Sequence, residues 1–210
     1  MTQAICHDIL SRARAADFGP TLLSDFTLDA GRPVALDSLR DPVWSLYGLD
    51  MATGQALFVE LPPGLDLSTA AFLPVLQFAR ALRLVRVALD DLPAVAALMP
   101  KPDQLILMFS MGRCGSTLAS KILSLVPGVR SLSKPGPFLT LALDRFRSAP
   151  ARQRALVTAL THLMFRPLAA SDRVLALKFH SQVLFQADHF FAAFPQASCV
   201  FRYRDGLTWA

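Results

Sequence analysis

Six consecutive residues, Gly112, Arg113, Cys114, Gly115, Ser116 and Thr117, combine two glycines three apart, a cation between them, and two hydroxyls. They follow the apolar run "LILMF" (105–109) and precede a helical pattern. A strand, a glycine-containing turn and a helix N-terminus together make an anion site: the first helical amides lack partners, and the helix dipole adds about half a positive charge there. Gly112 and Gly115 permit positive φ and close backbone approach, and Arg113 brings a fork of donors. The bland alternative is an N-capped helix after a tight turn, with Arg113 solvated.

Three specific phosphate loops do not fit. The nucleotide-triphosphate loop needs G-x-x-x-x-G-K-[ST], but Ser110 stands at the first glycine and no lysine precedes Ser116 or Thr117. A cysteine phosphatase would require an arginine where Ser120 stands, and the dinucleotide fingerprint G-x-G-x-x-G is absent.

Other chemistry-bearing residues follow. His180, in "LALKFHS" (175–181) beside Lys178, suits proton removal near neutral pH and would sit at the carboxyl edge of a parallel sheet; its plain reading is a surface histidine. Lys134 in "SLSKPGP" reads as a solvated loop lysine. His162 and His189 lie in helical stretches without ligand partners at metal spacing, Asp90-Asp91 reads as a helix start, and Phe185, Phe190, Phe191, Phe194 and Phe201 read as core aromatics.

The elements that must position these residues are regular from Leu105 onward. Strands are expected at "LILMF", "VRSLS", "RVLALKF" and "SCVFRYR", alternating with helices at 116–126, around 137–147, at 151–165 and at "QADHFFAAF". The first helix would place Leu118, Ile122, Leu125 and Val126 on one side, and the third Ala151, Ala155, Ala159 and Leu163. This alternation predicts an α/β fold, a parallel sheet with flanking helices. The first hundred residues give weaker signals. "HDILSRARAADF" suggests a short helix, and "VWSLYGLDMATGQALFVEL" a hairpin turning at Thr53-Gly54. "LSTAAFLPVLQFARALRLV" suggests a helix capped by Ser68, and "DDLPAVAALM" a further one. "MPKPDQ" (99–104) reads as a linker between a small α+β region, 1–100, and the α/β unit, 101–210.

Composition bounds the function class. The 210 residues are 53% hydrophobic and 18% charged, a folded globular balance. A net charge of +5 favours an anionic partner, but the basic residues are scattered and form no nucleic-acid-tracking block. Cys6, Cys114 and Cys199 share no metal-type spacing, charges interrupt every apolar run before the roughly 20 residues that span a bilayer, and no apolar leader opens the chain. The expectation is a cytoplasmic chain with no metal and no membrane span; the sequence leaves the oligomeric state open.

The loop "SMGRCGSTLASKIL" (110–123) resembles the 5′-phosphosulfate-binding loop of sulfotransferases that use 3′-phosphoadenosine 5′-phosphosulfate, in the branch reading G-R-S-G-S-T-L. The resemblance implies a three-layer sandwich of the P-loop NTPase type. It places Gly112, Arg113, Cys114, Gly115, Ser116 and Thr117 around the 5′-phosphate, with Cys114 replacing the commoner serine. "LALKFHS" is similar to the family's Lys-x-His, which implies His180 as general base and Lys178 as supporting charge. "FPQASCVFRYRDG" (194–206) resembles the start of the 3′-phosphate motif, which implies Arg204, with Arg202 as a second candidate, and Gly206 departing from proline. The implied reaction is sulfonate transfer to a hydroxyl or amine of a small-molecule or carbohydrate acceptor. The likeness covers 105–210, the first half of such a domain. A diverged P-loop kinase or phosphohydrolase, with Asp205 as the only metal-carboxylate candidate, and a non-catalytic binding or scaffold fragment are the alternatives.

Overall fold

The fold was described from a computed structural model covering residues 4–16, 18–145 and 148–205. Ten strands and six α-helices form, in order, β1 (Ala4–Arg12), β2 (Phe26–Leu28), β3 (Arg32–Val34), β4 (Trp44–Asp50), β5 (Gln55–Glu60), α1 (Leu73–Arg80), β6 (Arg83–Ala88), α2 (Leu92–Ala97), β7 (Gln104–Ser110), α3 (Ser116–Ser124), β8 (Val129–Ser133), α4 (Gly136–Leu143), α5 (Pro150–Met164), β9 (Val174–Lys178), α6 (Ala187–Ala193) and β10 (Ser198–Arg202). The chain is therefore mixed α/β, with a four-stranded parallel sheet flanked by helices and a separate antiparallel sheet.

The parallel sheet has the order β10-β7-β9-β8. Its first strand, β7, is central, so the chain leaves it toward β8 and later returns to its other side through β10. Such a reversal opens a crevice at the carboxyl ends of the strands, where α/β proteins bind ligands. Helix α3 packs on β8 and β9. On the opposite face, Phe138 of α4 and Phe190 of α6 close around Phe179, with ring centroids 5.2 and 4.8 Å away. The antiparallel sheet has the order β2-β1-β6-β5-β4, with β3 also paired to β1. Helix α4 lies against β4, and one connected apolar core runs from Leu46 and Phe58 to Phe138, Leu160 and Leu177.

Local signals hold well where the partners are near in sequence. The β4–β5 hairpin turns at Thr53-Gly54, Gly54 taking φ +68 while the Asp50 carboxylate accepts from the Ala52 and Thr53 amides. Helix α2 forms as its pattern requires.

Several expectations are corrected. Residues 7–12 belong to strand β1, not a helix: His7 and Asp8 pair with β6, and Ile9, Ser11 and Arg12 pair with β2. These distant partners override the Ala/Arg-rich local preference. The helix expected within 67–85 stops at Arg80, with Phe72 rather than Ser68 at its N-cap and Pro74 in the first turn. The rest becomes β6, a central strand between β1 and β5. In α5 the buried face is Gln153, Leu156, Leu160 and Leu163, leaving Ala151 and Ala155 exposed.

Helix α3 also departs from expectation. Leu118, Ile122, Leu125 and Val126 do share a side, but that side is exposed. The buried residues are Ser116 and Ser120, and Ser120 Oγ lies 2.9 Å from Ser131 Oγ on β8. The loop fixes this rotation: Ser116 must face inward at the helix start, and a residue four later falls on the same face.

Candidate functional site

The strand-to-helix turn after β7 closes tightly. Ser110, the last residue of β7, donates its hydroxyl to Ser116 Oγ, the first residue of α3, over 3.1 Å. Between them the backbone reverses through two left-handed residues, Arg113 (φ +55) and Gly115 (φ +75). Gly115 takes this conformation without a steric penalty, but Arg113 does not. Cys114 is buried, and its thiol donates to the Met111 carbonyl over 3.0 Å. The Cys114 side chain therefore braces the loop from within. Arg113 remains exposed at the loop's outer rim.

The loop walls a cavity of about 170 Å³, with Ser110 to Thr117 on one side and Lys134, Lys178, His180 and Ser181 on the other. Lys178 ends β9 and Lys134 follows β8, so both reach the site from the carboxyl edge of the sheet. Lys134 is the other non-glycine residue with positive φ among the described residues (+56). Both such residues thus border one cavity, as expected where backbone strain serves a site. Lys134 is half-buried, not a solvated loop lysine, and its ammonium lies 3.6 Å from the centroid of the Phe72 ring.

Besides Arg113, three basic groups crowd this small space, and all three are pushed below their ordinary pKa. Burial and the neighbouring Lys134 charge push Lys178 down to about 7. Burial, then Lys134 and Lys178, push His180 down to about 4, with Arg14 contributing further repulsion and a hydrogen bond from the ring to the Lys134 backbone carbonyl partly offsetting it. Burial also lowers Lys134. Desolvation and like charge both disfavour the protonated forms, so the cavity is arranged to gain from an anion. No carboxylate stands among the described residues that line it.

Arg202 reaches the loop from β10, its Nη2 3.3 Å from the Cys114 carbonyl and 3.5 Å from where a Cβ on Gly115 would stand. Arg204 lies past the end of β10, exposed, and does not line the cavity. Asp205 is likewise exposed, and Gly206 falls outside the described residues.

The remaining candidates lie elsewhere. His162 sits at the other end of the sheet, edge-on to Phe194 at 5.7 Å, its pKa lowered by burial; His189 lies on α6. Asp90 is held by Arg152 at 3.1 Å, and Asp91 stands at the N-cap of α2. Phe190 is a core residue, but Phe185, Phe191 and Phe201 are exposed, against their reading as core aromatics. Phe185 is covered by the Arg145 guanidinium at 4.7 Å, and Phe201 stacks on Tyr203.

Phe72 and Arg14 come from the first hundred residues and carry no sequence signal, since the contacts that bring them here span 62 residues or more. Among the described residues, no cluster of three or more His, Cys, Asp or Glu stands together, and no helix is long and apolar enough to cross a membrane. Comparison with protein-family models, with curated proteins and with solved structures gave no match to this chain.

Proposed function

We propose that the cavity beside the 110–117 loop binds the 5′-phosphosulfate end of 3′-phosphoadenosine 5′-phosphosulfate, and that the protein transfers its sulfonate group to a hydroxyl or amine acceptor. One observation carries this reading: Lys134, Lys178 and His180 converge on a strand–loop–helix anion cradle, where burial and the Lys134 charge hold Lys178 and His180 below their ordinary pKa. An anion there raises the proton affinity of Lys178 and is held by the charge it restores. The sheet order, with the loop on the central first strand, supports a P-loop-type architecture.

In the transfer, the acceptor oxygen or nitrogen forms a bond to sulfur as the bridging sulfur–oxygen bond breaks. The electron pair of that bond leaves with adenosine 3′,5′-bisphosphate. The loop amides, Lys178 and Lys134 stabilise the charge developing on the phosphate and the sulfonate. His180, uncharged at neutral pH, takes the acceptor proton. Its basicity rises once the anion offsets the two lysines. Arg202 holds the loop through the Cys114 carbonyl and, in this reading, takes the nucleotide's 3′-phosphate.

The reading is tested by titrating the protein with adenosine 3′,5′-bisphosphate without metal and, separately, with ATP and Mg²⁺. Saturable binding of the bisphosphate alone is expected. A preference for Mg-ATP would favour the kinase alternative, for which a cavity with four basic residues and no carboxylate among its described lining gives little support. Bisphosphate binding without sulfonate transfer to phenolic, alcohol or amine acceptors would leave a binding protein.

A further inference from the structure

A second cavity, of about 380 Å³, lies in the seam between the two sheets and shares no lining residue with the loop site. Its size falls within the roughly 300–1,000 Å³ of small-molecule sites. Its walls are mostly apolar, built from Val43, Leu61, Leu65, Leu67 and Leu168. Two arginines border it. Arg130, on β8, is neutralised by Asp66 at 2.8 Å and Asp172 at 3.9 Å. Arg166, just past α5, is not.

Arg166 is only 8% exposed, yet it enters no ion pair among the described residues. Its Nη2 donates to the Leu39 carbonyl over 3.1 Å, while its buried Nε has no hydrogen-bond partner. Buried charges are ordinarily paired, and an unmet buried donor costs about 1–3 kcal/mol. Asp41 lines the same cavity from beyond ion-pair distance, its Oδ1 accepting from the Val43 amide over 3.0 Å. Burial lowers the Arg166 pKa to about 10, and attraction to Asp41 offsets this only in part.

We infer that this seam cavity is a binding site for a small monocarboxylic acid with an apolar body, its carboxylate held by Arg166. The guanidinium fork matches a carboxylate in the plane and would satisfy Nε. The leucine and valine walls take the hydrocarbon. A single charge suits the site better than a phosphate, because Asp41 repels a second negative charge and Arg130, already paired with Asp66 and Asp172, brings no uncompensated charge to meet it.

The test uses sodium octanoate below its micellar concentration, with octan-1-ol and sodium acetate as probes lacking the charge or the apolar body. Calorimetry on the full chain should show saturable octanoate binding at least tenfold tighter than either. In a ¹H–¹⁵N spectrum the Arg166 Nε–H resonance should shift with the same midpoint. Arg166→Gln should erase the preference for octanoate over octanol. Leu168→Trp, which crowds the cavity and keeps Arg166, should weaken octanoate binding should Arg166→Gln fail to fold. Equal binding of octanoate and octanol, no saturation, or an unmoved Arg166 signal at saturating octanoate would overturn the assignment. Because the two cavities share no residue, adenosine 3′,5′-bisphosphate should neither compete with octanoate nor be affected by Leu168→Trp.

Discussion

The backbone N–H of Lys134 donates to the carbonyl of Lys178 over 2.6 Å, tying the carboxyl ends of β8 and β9 together. Two lysines are thereby fixed beside one small cavity, one of them in a left-handed conformation that only a well-determined surround maintains. Their mutual repulsion makes the site responsive to pH and to anions.

Binding of adenosine 3′,5′-bisphosphate should take up a proton above neutral pH. Lys178 titrates near 7 in the free protein, and an adjacent phosphate raises that value. Lys178 is therefore already charged below pH 7, whereas above it binding must supply the proton. Affinity should fall by up to about tenfold per pH unit between 7 and 8.5. Calorimetry in buffers of different ionisation enthalpy measures the uptake, and Lys178→Met should abolish it. A flat pH dependence in the wild-type protein would remove Lys178 from the site.

Lys178→Met should stabilise the free protein at pH 7 while eliminating transfer. The unfolded lysine holds its proton up to about 10.4, but the buried one releases it near 7. Folding thus expels a proton between those values, and wild-type stability falls as pH drops from about 10 to 7. Replacing the buried cation with a methionine should gain roughly 1–4 kcal/mol at pH 7. Denaturant unfolding at pH 7 and 9.5 should show the gap between the two proteins narrowing at the higher pH.

At position 113 the backbone and the side chain act in opposite directions. Arg113→Gly should relieve about 1 kcal/mol of left-handed strain, whereas Arg113→Ala retains it. Both should weaken bisphosphate binding at least tenfold, by loss of the guanidinium. Melting temperatures and titrations on the pair separate the two effects; unchanged affinity in either would place the Arg113 side chain outside the site.

Gly136 opens α4 against the antiparallel sheet. A Cβ there would stand 2.7 Å from Thr21 Cγ2 and 3.0 Å from the Tyr47 carbonyl. Gly136→Ala should therefore destabilise the protein by about 1–3 kcal/mol, although alanine is the better helix former. Thr21→Ala, made together with it, should recover part of the loss. Thermal unfolding of the single and double variants tests whether this contact holds the sheets together.

How much could be read from the chain varied along it. From Gln104 to Arg202 the four parallel strands and their helices were legible, because each is announced by a local apolar run, a periodicity or a turn residue. The loop residues that wall the small cavity were equally legible, since Ser110 to Thr117 form one continuous stretch. In the first hundred residues the β4–β5 hairpin was legible for the same reason. Strands β1 and β6 were not, because their identity rests on pairing between residues such as Cys6 and Val85, far apart in sequence.

By itself, then, the sequence determined the α/β alternation, the glycine-containing loop after β7 and the basic residues it carries. The tertiary structure decided which way those residues faced. It turned the apolar side of α3 outward, made Cys114 a brace, and drew Lys134 in over Phe72. It also left Arg166 buried without a counter-charge in a seam built from four separate segments. Short-range periodicity and turn chemistry are written in neighbouring residues. Burial, charge suppression and cavity shape arise only when segments distant along the chain exclude water together.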